Sequence, residues 1–173
     1  MVRRSSNPNK SKSRTRQYLH QFTPMLLDKY RQRDADLLSL GFSSYAAYLN
    51  SPLWGDIRQD VLDRAEGVCE VCVSNAAKQV HHRSYDVRVL LGKVLSMLTA
   101  VCDRCHREAE LTPAGDKRFL QEANAHMEAR AWIDGRVLPG VCRSCRKNST
   151  GDRSSRCGKC ARGGTIPGSL LEE

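Results

Sequence analysis

Eight cysteines arranged in four Cys-x-x-Cys pairs constrain the fold of this chain more than any other feature. The pairs are Cys69 with Cys72, Cys102 with Cys105, Cys142 with Cys145, and Cys157 with Cys160. Two thiolates at this spacing supply half of a tetrahedral zinc site. Four pairs therefore predict two structural zinc ions, each bound by four cysteines. Redox-active dithiols are the alternative, but four of them without a thioredoxin-like βαβ pattern would be unusual.

Sequence order predicts which pairs share an ion. Only 11 residues separate the third pair from the fourth, which favours a small zinc ribbon of their own. The first and second pairs, with 29 residues between them, are then expected to share the other ion. The intervening segment must fold back on itself to allow this.

The net charge of +9 is unevenly distributed. Residues 1–16 carry +6 and residues 136–162 carry +7, whereas residues 17–135 carry −2. A near-neutral body with two basic arms is typical of a polyanion-binding protein, and the partner we expect is DNA, in double-stranded form. Solubilising tails are the alternative interpretation. The candidate nucleic-acid-binding residues are Arg3, Arg4, Lys10, Lys12, Arg14 and Arg16 in the first arm, and Arg143, Arg146 and Lys147 in the second.

No secretory or membrane signal is recognisable in the sequence. The N-terminal stretch is basic and polar, and no run approaches the roughly 18 apolar residues of a membrane span. We therefore expect an intracellular, cytoplasmic protein whose thiols stay reduced.

Capping residues and hydrophobic periodicity predict the elements around the cysteines. One helix is expected from Thr23 and Pro24 to Gly41, and another from Ser51 to Gly67. A hairpin is expected over 77–90, with helices over 103–111 and 116–132. The predicted organisation is a basic arm (1–16), a helical region (17–66), a zinc-stabilised core (67–135), a zinc ribbon (136–165) and a tail (166–173).

Two adjacent histidines, His81 and His82, occupy this predicted hairpin in the stretch VHHRSY. Adjacent side chains on a regular strand point to opposite faces. A bulge in the hairpin would let both address one cleft. On the following helix, Cys105 and His106 are consecutive and about 100° apart, so the thiolate can face a zinc ion while the imidazole faces the hairpin. Completion of a zinc site by His81 or His106 is the alternative role.

Four stretches in this order resemble the HNH endonuclease family: YLNSPLW, LDRAEGVCEVC, VHHRSY and VCDRCHREAEL, within about residues 45–111. The resemblance implies a small zinc-stabilised α+β protein with a ββα-metal, treble-clef-like core, flanking helices and a zinc ribbon. It also implies that His82 is the general base and that His81 and His106 bind a catalytic metal ion.

The chain departs from the family pattern at two positions. Met97 stands where the family usually has Asn or Asp, and a methionine cannot orient the loop behind the base as an amide does. Ser96 could take over that role, or the protein could be less active or inactive. Glu110 stands where the family often has His or Lys, four residues after His106 and on the same helix face. We expect Glu110 to bind the catalytic ion, Mg²⁺ or Mn²⁺; a surface ion pair with Arg104 or Arg107 is the alternative.

The sequence therefore predicts a metal-dependent endonuclease that hydrolyses DNA phosphodiester bonds. A neutral imidazole, with a pKa near ~6.5, can accept the proton of an attacking water close to pH 7. A cation beside the scissile phosphate offsets charge on the leaving oxygen. The alternative is a non-catalytic, zinc-dependent nucleic-acid-binding protein on a degenerate HNH scaffold.

Removing residues 1–16 tests the role of the first basic arm. We expect the truncated protein to bind every DNA sequence more weakly, because binding to phosphates carries no sequence information. The slope of log K against log salt should flatten by about 0.9 for each phosphate that the arm neutralises in the full-length protein. Fluorescence anisotropy titrations at several salt concentrations measure this, and an unchanged slope would identify the arm as a solubilising tail.

Overall fold

The computed structural model describes residues 30–133 and 135–142. The chain divides into two compact units, and the boundary between them falls between Tyr45 and Ala46. The helices are α1 (30–39), α2 (Tyr45–Leu49), α3 (Pro52–Arg64), α4 (Val87–Leu90), α5 (Asp103–Glu110) and α6 (Leu120–Ile133), and the strands are β1 (Gln79–His82) and β2 (Leu98–Val101). The described residues thus form a small α+β fold, and the predicted fold class is confirmed to that extent.

In the first unit, α1 ends in a turn that reverses the chain. Gly41 has a φ of +89°, a conformation that glycine adopts without the Cβ clash of other residues. This turn lets the Phe42 N–H donate to the Leu37 carbonyl at 2.9 Å and close the helix end. The predicted end of this helix at Gly41 is therefore confirmed; its predicted start at Thr23 lies outside the described residues.

The second unit begins its main helix, α3, with the predicted cap. The Ser51 hydroxyl accepts a hydrogen bond from the Trp54 N–H at 3.2 Å, and Pro52 occupies the first helical turn. Trp54, Ile57 and Val61 are buried on one face of the helix. The helix is therefore anchored to the core by three side chains at the spacing the sequence indicates.

The sheet has two antiparallel strands in a regular register. His81 lies opposite Thr99, and His82 lies opposite Leu98. The predicted hairpin over 77–90 is wrong, because Asp86 caps the short helix α4 by accepting from the Arg88 N–H at 2.9 Å. The four residue pairs of β1 and β2 run without the bulge that would bring both histidines to one cleft, so His81 and His82 point to opposite faces.

The outer edge of β2 is closed by an ion pair. Glu70 donates its N–H to the Ala100 carbonyl at 2.9 Å and accepts the Ala100 N–H on its carboxylate at 2.7 Å. Arg64 binds that carboxylate at 2.8 Å and donates to the Leu98 carbonyl at 2.9 Å. The outward-facing backbone groups of Ala100 and Leu98 therefore have hydrogen-bond partners. The same contacts fix the turn that carries Cys69 and Cys72 to the sheet.

Helices cover both faces of the sheet. On one face, His82 stacks on Trp54 of α3. On the other, His81 meets His106 of α5, and α6 packs behind α5. The apolar core on this second face is formed largely by small and sulfur-containing side chains, namely Cys69, Val71, Cys72, Val101, Cys102, Cys105, Ala109, Ala123, Met127, Ala131 and Leu138.

The buried Arg83 ties the last described segment to the sheet. Its guanidinium pairs with Glu128 of α6 at 2.8 Å and donates to the carbonyl oxygens of Pro139 and Ser96. Gly140 has a φ of +75°, and a Cβ there would lie 2.9 Å from the Ser96 carbonyl. Only glycine allows this close approach of two backbones.

Alanine at Gly140 is predicted to destabilise the protein more than alanine at Gly135. Both glycines have positive φ, +75° and +73°, so each substitution should cost about 1–2 kcal/mol of unfolding free energy. A Cβ at Gly135 meets nothing within 4 Å, whereas at Gly140 it meets backbone. We expect an additional loss of roughly 1–3 kcal/mol at Gly140. Urea unfolding measures both values, and equal losses would contradict the close approach.

Candidate metal centres

Four buried cysteines converge on one point. The Sγ atoms of Cys69, Cys72, Cys102 and Cys105 all lie within 4.8 Å of one another, and those of Cys72 and Cys102 are 3.9 Å apart. Tetrahedral zinc with Zn–S bonds near 2.3 Å separates its sulfur atoms by about 3.8 Å. The cluster could therefore hold a metal ion such as zinc, and the predicted sharing by the first two cysteine pairs is confirmed as a spatial grouping.

Local backbone geometry aims the sulfur atoms. Cys102 is the N-cap of α5, and its Sγ accepts from the Cys105 N–H at 3.4 Å. In the first pair, the Asn75 side-chain amide donates to the Cys72 Sγ at 3.5 Å. N–H donors directed at sulfur favour the thiolate, which is the form that binds metal ions.

Burial and hydrogen bonding act in opposite directions on these thiols. Burial raises the pKa values of Cys69 and Cys105. Burial also acts to raise the pKa of Cys72, but hydrogen bonds from the Ser74 backbone, the Asn75 side chain and the neighbouring thiols outweigh it and hold that pKa at about 6. Four thiolates this close and this buried repel one another, so a cation is needed to stabilise them together.

A second cluster lies between β1 and α5. Ligand atoms of His81, His106 and Glu110 all lie within 4.8 Å of one another. The rings of His81 and His106 have centroids 5.4 Å apart, and the His106 Nε2 is 3.4 Å from a Glu110 carboxylate oxygen. Two imidazoles and a carboxylate form a ligand set that suits several divalent cations.

Glu110 lies toward the cluster, as its place one helical turn after His106 predicts. The two residues are four apart on α5 and share one face of it. Arg104, considered above as a surface partner for Glu110, instead pairs with Glu108 at 2.8 Å. The geometry therefore allows Glu110 to act as a metal ligand.

His81 has the electrostatic character that a metal ligand needs. Its Nε2 atom is buried and has no hydrogen-bond partner among residues 30–133 and 135–142. Burial, followed by the nearby charges of His106 and Arg83, lowers the pKa of His81 to about 4. The imidazole is thus neutral at pH 7, the form in which histidine binds metal ions.

The two clusters share α5 but differ in exposure. Cys105 faces the sulfur cluster while the next residue, His106, faces His81, as the helical spacing predicts. All four cysteines are buried, whereas the side chains of His106 and Glu110 are 23% and 51% exposed. Structural metal sites are typically closed and catalytic sites keep an open position. The sulfur cluster is thus closed, whereas the second cluster is partly open to solvent.

His82 lies on the opposite face of the sheet from the second cluster. Its ring stacks between Trp54, with centroids 4.5 Å apart, and Tyr85, at 5.5 Å, and meets the edge of Tyr48 at 6.2 Å. The residue is 4% exposed. This aromatic enclosure was not predicted from the sequence, although the stretches YLNSPLW and VHHRSY contain all of its residues.

Backbone contacts hold the turn at Met97. Its carbonyl accepts from the Arg83 N–H at 2.8 Å, and the preceding residue, Ser96, is buried. The turn behind the histidine pair is therefore held through Arg83, where the family resemblance implies a side-chain amide. Whether Ser96 takes the functional role of that amide stays a prediction.

The remaining predicted site residues fall outside the described part of the chain. These are the nine candidate nucleic-acid-binding residues of the two arms and the cysteines Cys145, Cys157 and Cys160. Cys142, the first cysteine of the predicted ribbon, is described and is fully buried. Within the described ranges, no helix has the length and apolar character needed to cross a membrane.

In comparisons with known proteins, no family model matches this chain, and no match was found to a curated protein or to a solved structure.

Zinc analysis tests the sulfur cluster. We expect purified protein to contain two zinc ions per chain, one in this cluster and one in the predicted ribbon. Cys72→Ala should lose one of them and unfold the second unit, because structural zinc binding of about 10–16 kcal/mol is coupled to folding. Elemental analysis and circular dichroism measure these outcomes; wild-type protein with one zinc or none would contradict the two-site prediction.

Proposed function

We propose that this protein is an HNH-type endonuclease that hydrolyses DNA phosphodiester bonds with a divalent metal ion. The observation that carries the proposal is the grouping of His81, His106 and Glu110 within 4.8 Å, partly open to solvent and next to a closed sulfur cluster. Such an enzyme needs a closed site, whose ion stabilises the fold, and an open site, whose ion can contact the substrate.

The order of elements supports the proposal. Two antiparallel strands, β1 and β2, are followed directly by α5, and the candidate ligands lie on β1 and α5. This is the strand, strand, helix order that the resemblance implies for a ββα-metal core. The sulfur cluster joins the turn after α3 to the start of α5 and so supports that arrangement.

Each ligand has a defined task in the proposed reaction. A divalent cation bound there would stabilise negative charge on the scissile phosphate and on the leaving oxygen. His81, neutral at pH 7, supplies a fixed nitrogen ligand from the sheet. His106 and Glu110 supply a nitrogen and an oxygen from one face of α5, and the carboxylate suits Mg²⁺ or Mn²⁺. The basic arms supply affinity for the DNA backbone.

His82 is the proposed general base, following the resemblance. It lies at the C-terminal end of β1, and its stacking on Trp54 and Tyr85 fixes the orientation of the ring. A base must come within about 2.6–3.2 Å of the water that it deprotonates. For His82 to act as the base, a water molecule must reach its ring nitrogen from the edge of the aromatic enclosure.

A second candidate function is non-catalytic binding of nucleic acid on the same zinc-stabilised scaffold. The 4% exposure of His82, on the sheet face away from the second cluster, favours this alternative. Methionine at position 97 favours it as well. Both candidates predict DNA binding, but only the first predicts cleavage.

Cleavage of a supercoiled plasmid in the presence of Mn²⁺ separates the two candidates. Glu110→Gln and His106→Ala should each raise the Mn²⁺ concentration for half-maximal cleavage by roughly tenfold or more. Metal affinity typically falls by at least that factor even when the residue removed only contacts a metal ligand. Glu108→Gln is the matched control, since Glu108 lies on the same helix and pairs with Arg104. Its metal titration should be that of the wild type.

His82→Ala should lower the cleavage rate by roughly 10²–10⁴-fold and leave DNA affinity nearly unchanged, because general-base catalysis contributes that much to rate. Full activity in this variant would remove His82 from the mechanism. Wild-type protein that binds DNA but does not cut it with Mn²⁺ or Mg²⁺ would favour the second candidate function.

A further inference from the structure

One face of the sheet carries a group of buried polar atoms without partners. Thr99 lies directly opposite His81 in the ladder, so the two side chains share a face. The Thr99 hydroxyl and the His81 Nε2 are buried and have no hydrogen-bond partner in the part of the chain that is described. The Nε of Arg83, the first residue after β1, is also buried and has no hydrogen-bond partner among the described residues.

Such atoms are costly to leave without a partner. A buried donor or acceptor without a hydrogen bond costs about 1–3 kcal/mol, so native proteins rarely keep one unless water or an ion occupies the site. Thr99 is 0% exposed and His81 is 7% exposed, so bulk solvent does not satisfy them. The two residues lie opposite each other in the ladder, so one partner placed between their side chains could serve both.

The chemistry of these atoms identifies the kind of partner. The Arg83 Nε can only donate a hydrogen bond, the Thr99 hydroxyl can donate and accept, and a neutral imidazole nitrogen can bind a cation. A cation alone would leave the Thr99 and Arg83 donors unsatisfied. Ordered water next to a cation satisfies both kinds of group, and Mg²⁺-type ions keep several waters when protein-bound.

We propose that Thr99 is a positioning residue of the His81, His106 and Glu110 site, and that its hydroxyl holds an ordered water beside the ion-binding side of His81. The inference deepens the proposed function and rests on the metal site, not on nuclease activity. Through this water, Thr99 orients the metal site from the sheet, while His106 and Glu110 orient it from α5.

A purely structural role makes a different prediction. Thr99 is in a buried strand, where β-branched residues are favoured for packing. If its shape alone mattered, Thr99→Val would preserve that shape, remove an unsatisfied hydroxyl and leave metal binding unchanged. The proposed role requires the hydroxyl for metal binding while predicting no loss of stability in protein without the second ion.

The experiment compares wild type, Thr99→Val and Thr99→Ser as full-length, zinc-containing proteins. Mn²⁺ affinity is measured by electron paramagnetic resonance of the free ion, and urea unfolding is measured without added Mn²⁺. We expect Thr99→Val to raise the Kd for Mn²⁺ by roughly tenfold, with unfolding free energy unchanged or higher. Thr99→Ser keeps the hydroxyl and should bind Mn²⁺ nearly as tightly as wild type.

Three outcomes would overturn the proposal: wild-type affinity in Thr99→Val, equal weakening in Thr99→Val and Thr99→Ser, or a loss of stability in Thr99→Val without Mn²⁺. Wild-type protein that binds no Mn²⁺ beyond the zinc sites would overturn the metal site and the role of Thr99 together. Protein whose Mn²⁺ affinity depends on the Thr99 hydroxyl but that does not cut DNA would overturn only the proposed nuclease function and support this inference.

Discussion

The convergence of four cysteine sulfurs is the interaction on which the rest of this structure depends. The core around them contains three alanines on α5 and α6, Ala109, Ala123 and Ala131, and few large apolar side chains. Such a core buries too little apolar area to fix the angle between a short helix and a two-stranded sheet. A metal ion held by Cys69, Cys72, Cys102 and Cys105 would join the turn after α3 to the first turn of α5 and fix that angle directly.

The position of the second cluster follows from this constraint. Because Cys105 is directed at the sulfur cluster, the next residue on α5 projects about 100° away, and this direction brings His106 to His81. Glu110 then follows one turn later on the same face. The ion pair of Arg64 and Glu70 provides the matching constraint on the sheet, since it attaches β2 to the turn between the first two cysteines.

Strand alternation separates the two adjacent histidines into different environments. His81 lies beside His106 of α5, and its low pKa keeps the imidazole neutral at pH 7. His82 lies among aromatic rings against α3. An uninterrupted ladder cannot place both rings on one side, so any cooperation between them must occur around the C-terminal end of β1. The proposed mechanism depends most on this geometric condition.

The sequence by itself determined the features that depend on short spacing. The cysteine pairs, the Ser51 cap, the glycine at the end of α1, and the shared face of His106 and Glu110 all follow from backbone geometry over one helical turn or less. The grouping of the first two cysteine pairs was also predictable. The short separation of the third and fourth pairs favours a site of their own, which leaves the first two pairs to share the other ion.

The tertiary structure alone decided the partners that are distant in sequence. β1 pairs with Leu98–Val101 and not with a local hairpin partner, because Asp86 begins a helix in between. This non-local pairing set the register, and the register decided that His81 faces α5, that His82 faces Trp54, and that Thr99 lies opposite His81. A one-residue change in register exchanges the two faces of a strand, so strand alternation alone could not determine which histidine faces α5. The choice of His81 over His82 came from the family resemblance, and the register places His81 beside His106.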